Sequence, residues 1–187
     1  EKGDLDLVKA MVEGHDVEKT SMSVVEMLNR EGKNSSGESA RPIDVAATGL
    51  KFDIVVYLAG KGAKGEKFAG TPMVRACEKG DLDSVKALVE GHDVEKTGIS
   101  VDEMVSKEGK NSRGKSQTPL LASILQGHTA ITTYLVKECK VDGSGGPLVV
   151  ACEKGDFDSV KAMVEGHDVE KTGISVDEMV SKEGKDS

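Results

Sequence analysis

The chain repeats itself, and few folds accommodate that. The octet EGHDVEKT begins at Glu13, at Glu90 and at Glu165, spacings of 77 and then 75 residues. EKGDLD at Glu1 returns at Glu78, and EKGDFD follows at Glu153. Between residues 78–110 and 153–185 only two positions of 33 differ, Leu82/Phe157 and Leu88/Met163, both apolar for apolar. A recent duplication explains this better than separate tuning of each copy. Repeats of this kind bury their apolar faces by stacking on neighbours.

Each long period divides into two shorter units. One reads TPMVRACEKGDLDSVKALVEGHDV from Thr71, the other TPLLASILQGHTAITTYLVKECKVD from Thr118. Thr71 and Thr118 are N-cap candidates, each followed by proline at the first helical position, where a missing N–H costs nothing. A short helix then closes at Gly80 or Gly127, glycine being suited to the left-handed closing position. A second helix follows, with Leu82, Val85, Leu88 and Val89 on one apolar stripe. Gly91 is expected to end it.

Composition supports helices. Hydrophobic residues are 37% of the chain but aromatics only 3%, so the core must come from Leu, Val, Ile, Met and Ala rather than from the aromatics a β-sandwich favours. The formal net charge of −8 argues against a nucleic-acid partner, which needs clustered Lys and Arg. It suits a partner that carries basic residues. Cys77, Cys139 and Cys152 fit neither a disulfide framework nor a metal site, so a reducing, cytoplasmic compartment is expected. No apolar run is long enough for a bilayer. The chain starts at Glu1 without methionine and reads as a fragment of a longer one.

These units together resemble ankyrin repeats. The carriers are TPL, a helix ending in GH or GD, a helix such as LDSVKALVE, and GHDV where that family commonly has GADV. The histidine after TPL is missing: Val74, Leu121, Val149 and Asp44 stand there. In RPIDVAATGL, Leu50 occupies the place of the closing glycine. The resemblance implies an all-α, ankyrin-type solenoid of stacked helix pairs with hairpin loops. Its units are expected at about 1–40, with an incomplete first helix, 41–70, 71–117, 118–145 and 146–187. The family's activity would be non-catalytic protein binding, without cofactor or metal. Carried over by position, the outward residues are Thr48, Glu78, Lys79, Leu125, Gln126, Glu153 and Lys154.

Alternate units carry an insertion. Gly91 to Thr118 spans 27 residues, about 15 more than the family's hairpin needs. Ser100 with Glu103 makes a capping box, and Ile99 with Met104 a hydrophobic staple. The arrangement recurs as Ser23/Glu26 with Met22/Met27 and as Ser175/Glu178 with Ile174/Met179. A short helix over about 101–107 is therefore expected in each copy. Its Met and Val face either docks on the stack or meets a partner. Its outer face would offer Asp102, Glu103, Lys107, Asp177 and Glu178 as a ladder suited to a repetitive partner. Exposed Leu5, Val8, Met11 and Val12 at the first end leave head-to-tail self-association open as a third reading.

Two motifs suggest small ligands. Gly109, Gly114, Lys115 and Ser116 complete the phosphate-loop pattern. The residues before it, VDEMVSKE, are not a buried strand, and the first copy has Glu38 in place of the lysine. DVEKTGISVDEM from Asp93 resembles a calcium loop until its twelfth position, where Met104 replaces the required glutamate. His15, His92 and His167 recur once per period and are expected to hydrogen-bond within their turns. Cys77 and Cys152 are expected to be buried.

Overall fold

The computed structural model describes residues 2–167 and 169–181. Helices dominate. The first copy contains α1 (Lys2–Glu13), α2 (Val17–Thr20), α3 (Val24–Asn29), a hairpin of β1 (Gly32–Lys33) and β2 (Ser39–Ala40), α4 (Pro42–Thr48) and α5 (Phe52–Gly60). The second contains α6 (Thr71–Lys79), α7 (Leu82–Glu90), α8 (Val94–Thr97), α9 (Val101–Ser106), a hairpin of β3 (Gly109–Lys110) and β4 (Ser116–Gln117), α10 (Pro119–Gln126) and α11 (Thr129–Lys137). The third continues with α12 (Gly146–Lys154), α13 (Phe157–Glu165), α14 (Val169–Thr172) and α15 (Val176–Ser181). Both hairpins are antiparallel, Gly32 opposite Ala40 and Gly109 opposite Gln117.

Neighbouring helices pair as α4–α5, α6–α7, α10–α11 and α12–α13. Sideways, α6 packs on α4 and α10, and α10 on α12, while α5 packs on α7 and α11 on α13. The core lies between these two rows. Its fully buried members include Met73, Leu88, Ile124, Leu135 and Met163, each worth roughly 1.5–3 kcal/mol of burial.

Local chemistry sets the helix ends. Gly80, Gly127 and Gly155 close α6, α10 and α12 at φ of 80°, 74° and 68°. Leu50 holds the same left-handed place at φ 55°, where an L-residue costs about 1–2 kcal/mol. Its N–H donates to Ala47 O at 3.0 Å, so the turn forms despite the strain. Gly91 ends α7 as expected, but at φ −79° rather than in the left-handed region. It is needed for space, since a Cβ there would meet Ala87 O at 2.8 Å and the Phe68 ring at 3.1 Å.

Other expectations are corrected. Thr118 caps α10 through Leu121 N at 3.2 Å, but Thr71 does not cap α6. Gly70 stands at that cap, and the Thr71 hydroxyl accepts from Lys110 N at 3.0 Å. In the first copy the expected incomplete first helix is not a separate element, because α1 runs unbroken from Lys2 through Gly3 to Glu13. Short helices α2 and α8 were not anticipated. In each, an aspartate caps the start, Asp16 to Lys19 N at 3.0 Å and Asp93 to Lys96 N at 3.1 Å. Ser21 at φ 54° and Gly98 at φ 67° close them.

Cys77 is buried but Cys152 is exposed. The difference is neighbours: α10 covers the Cys77 face of α6, and at the far end Phe157 remains 74% exposed. Burial pushes the Cys77 thiol up strongly and the Cys139 thiol up to about 11. At pH 8 both stay protonated and shielded. In a thiol-labelling assay on the native chain, Cys152 should react rapidly and Cys77 and Cys139 only after denaturant is added. Rapid reaction of all three would contradict this packing.

Candidate functional site

The sequence-predicted outward residues lie at the ends of the first helices. Thr48, Lys79, Gln126, Glu153 and Lys154 are exposed, as is Leu125 at 39%. Glu78 is not outward and free. Its carboxylate accepts from Ser112 N at 2.9 Å and from the Ser112 hydroxyl at 2.5 Å, and lies 3.2 Å from Arg75 Nε. Glu78 thus ties α6 to the β3–β4 hairpin.

That tie shapes a cleft of about 480 Å³ between α6, α10 and the hairpin. Glu78, Lys79 and Gln126 meet there, joined by Arg75, Arg113 and an apolar patch of Leu50 and Phe52. Thr48, Leu125, Glu153 and Lys154 do not line it. Lys79 Nζ sits 5.7 Å from the centre of the Phe52 ring. With Glu78 engaged by Ser112 and Arg75, the cleft keeps a net positive character. Leu50, held in a strained backbone position, supplies part of its floor; such strain persists only where surrounding structure imposes it.

Arg75 and Arg113 were missed by reading each motif alone. The available signal was divergence between near-identical copies: Val150 stands where Arg75 would repeat, and Ser36 where Arg113 would.

The phosphate-loop match forms the tip of this hairpin. Asn111 Oδ1 accepts from the Arg113 and Lys115 N–H groups, both at 2.9 Å, and Glu78 takes the Ser112 N–H. The amides a phosphate would need already have acceptors. Gly114 is there for its φ of 77°. Gly109 is there because a Cβ would lie 2.2 Å from Gly70 C and Thr71 N. No family model matches the chain, and no curated protein matches it at a significant level. The chemistry of the cleft therefore rests on its own geometry.

The inserted helices α3 and α9 dock on their own stack, whereas α15 buries Met179 and leaves Val176 and Val180 exposed. Met104, Val105 and Met179 are fully buried and Leu28 nearly so. Glu103, Lys107 and Asp177 are exposed and Asp102 is half-buried. Glu178 is exposed and also closes a capping box, accepting from Ser175 N at 2.9 Å. That backbone hydrogen bond, then the one from the Ser175 hydroxyl, holds its carboxyl below the usual range. The Ser23–Glu26 box is likewise reciprocal, whereas Ser100 receives only Glu103 N at 3.4 Å.

Each recurrent histidine spans its insert. Nε2 of His15, His92 and His167 meets the carbonyls of Met22, Ile99 and Ile174 at 2.9, 3.0 and 2.8 Å. Among the described residues no group of three His, Cys, Asp or Glu side chains could hold a metal ion. Asp93, the first residue of the calcium-like stretch, caps α8 and accepts from Arg41 Nη1 at 2.8 Å. Among the described residues no helix is long and apolar enough to cross a membrane.

Arg41 and Lys96 knit three segments together. Arg41 also lies 3.5 Å from Glu66, and Lys96 bridges Glu66 at 2.7 Å and Glu31 at 2.9 Å. Asp44, buried on α4, accepts from Glu66 N at 2.7 Å and Lys67 N at 2.8 Å, fixing the same loop. The hydrogen bond from Arg41 holds the Asp93 carboxyl below its ordinary value of 3.8. A depressed folded value means the stabilisation is complete above the ordinary carboxylate range and is lost as pH falls below it. Asp93→Asn should cost about 2 kcal/mol at pH 7, the difference shrinking below about pH 4. Urea midpoints at pH 7 and pH 3 check this, and a gap that did not narrow would remove the Arg41–Asp93 explanation.

Proposed function

We propose that the chain is an ankyrin-type solenoid and works as a non-catalytic protein-binding scaffold. The repeated helix pairs, the left-handed closures and the paired hairpins support the fold reading. The functional reading is carried by the cleft at the junction of α6, α10 and the β3–β4 hairpin. A cavity with Arg75, Lys79 and Arg113 on its walls and Leu50 and Phe52 on its floor suits an acidic side chain beside an apolar one. The overall charge of −8 points towards a basic partner, but at this cleft the local cations decide. The partner residue seated here is therefore an Asp or Glu.

Fluorescent peptides carrying an Asp or Glu next to Leu, scanned for binding, test this. Lys79→Glu with Arg113→Glu should weaken the best binder at least about tenfold, with the affinity falling as salt rises. Glu103→Lys with Asp177→Lys should leave it within about twofold. The reverse pattern would move recognition from the cleft to the inserts.

A further inference from the structure

The cleft between α6, α10 and the β3–β4 hairpin holds more positive charge than one carboxylate can match. Arg75, Lys79 and Arg113 line it against the single acid Glu78, a surplus of two positive charges. Among the described residues the side chains of Lys79 and Arg113 enter no hydrogen bond or ion pair, and Lys79 only faces the Phe52 ring at 5.7 Å. Arg75 meets Glu78 through Nε at 3.2 Å, and a guanidinium keeps further N–H groups for a second acceptor. Gln126 adds an amide on the α10 side.

The hairpin concentrates this charge. Residues 109–117 carry Lys110, Arg113 and Lys115 and no acid, whereas residues 32–40 of the first copy carry Lys33 and Glu38. Val150 stands at the place of Arg75 on α12, so the surplus belongs to this one junction. The hairpin is also pinned to α6 at two points, Thr71 to Lys110 N at 3.0 Å and Glu78 to Ser112 N at 2.9 Å. Asn111 Oδ1 fixes the Arg113 N–H at 2.9 Å. A wall ordered before binding costs less to bring against an anion.

The hairpin amides already have acceptors, so an anion in the cleft is held by side chains. A carboxylate matches only one of the two surplus charges. A phosphorylated hydroxyl carries about −1.5 to −2 at pH 7 and three acceptor oxygens, and guanidinium forks meet phosphate through two parallel hydrogen bonds. We propose that the cleft reads phosphorylation of its partner. Where the partner has a Ser or Thr in place of the Asp or Glu, its phosphorylated form docks between Arg75, Lys79 and Arg113, and the apolar neighbour lies on Leu50 and Phe52. The phosphoryl group comes from a nucleoside triphosphate by way of a protein kinase. A P–O bond forms to the partner's hydroxyl oxygen, the hydroxyl proton is released and the nucleoside diphosphate leaves. This chain receives the product and takes no part in the transfer. A nucleic acid is a poorer occupant, because its many phosphates need an extended basic track and the whole chain carries a net charge of −8. The inference rests on the reading of this cleft as the partner site and adds regulation to it.

The probes are three sets of fluorescent peptides, identical except for Glu, Ser or phosphoserine next to Leu, titrated into the 187-residue chain. The best phosphoserine peptide should bind at least about tenfold more tightly than its Glu twin, with a steeper loss as salt rises. The Ser peptide should bind at least about tenfold more weakly than the Glu one. Arg113→Gln, at an exposed position, should bring phosphoserine down to the Glu level with the melting curve unchanged. Lys115→Gln, on the same hairpin but outside the cleft lining, should leave both within about twofold. Equal binding of Glu and phosphoserine would overturn this inference and leave the cleft reading in place, as would a preference that survives Arg113→Gln. No binding by either peptide would remove both. Phosphoserine bound without Glu would keep the inference and overturn the Asp or Glu assignment. Inorganic phosphate binding as tightly as the phosphopeptide would overturn it in favour of a site for the free ion.

Discussion

Gly109→Ala is expected to destabilise the chain by about 3 kcal/mol, and Lys115→Ala to leave it unchanged. A Cβ at 109 would lie 2.2 Å from Gly70 C and Thr71 N. Both are backbone atoms, so no flexible side chain can move aside. The hairpin must lift from α6, which removes the Lys110–Thr71 and Ser112–Glu78 hydrogen bonds and opens one wall of the cleft. Gly32→Ala, at the same place in the first copy, meets nothing within 4 Å and should fall within about 0.5 kcal/mol of the parent. Urea denaturation of the three variants gives the ranking. A phosphate loop would give a different result: Lys115→Ala would abolish Mg-ATP binding in calorimetry. Measurable nucleotide binding that depends on Lys115 would restore that reading.

The second large effect is at the insert. Met104→Ala should cost about 3 kcal/mol, from lost transfer free energy and from the cavity left behind. Met104 is fully buried, and α9 packs on α10. Met27, its counterpart in the first copy, is only half-buried and lines an apolar groove between α1, α3, α4 and α5, so Met27→Ala should cost about 1 kcal/mol or less. If the insert were held for a partner instead of for the stack, Met104→Ala would leave the melting curve unchanged and remove binding alone. The comparison of Met104 with Met27 also measures how much stability α6 adds by covering its side of the second copy.

The two effects mark the boundary between what was legible in the sequence and what was not. The 77-residue period, the glycine closures at Gly80, Gly127 and Gly155, the Ser23–Glu26 and Ser175–Glu178 boxes and the short inserted helices could be read directly. Each depends on residues three to five apart, or on the φ of one residue, so the local chain carries the whole signal. Even the histidines, which reach seven residues ahead, belong to this class.

Other features required the tertiary structure. Thr71 looked like a helix cap and is a hairpin clamp, because its partner Lys110 is 39 residues away. Cys152 shares the local sequence of Cys77 and has the opposite exposure, because burial depends on which helix lies alongside. Glu78 looked like an outward helix-end residue and is a tie to the hairpin, because its partner Ser112 is 34 residues away. The cleft, too, joins α6 to a hairpin 34 residues on. The sequence by itself determined the repeating unit and its helix ends, since backbone hydrogen bonds and φ preferences act over a single turn. Only the tertiary structure decided which copies of identical residues are buried, bonded or left open, since that depends on the neighbour each unit meets.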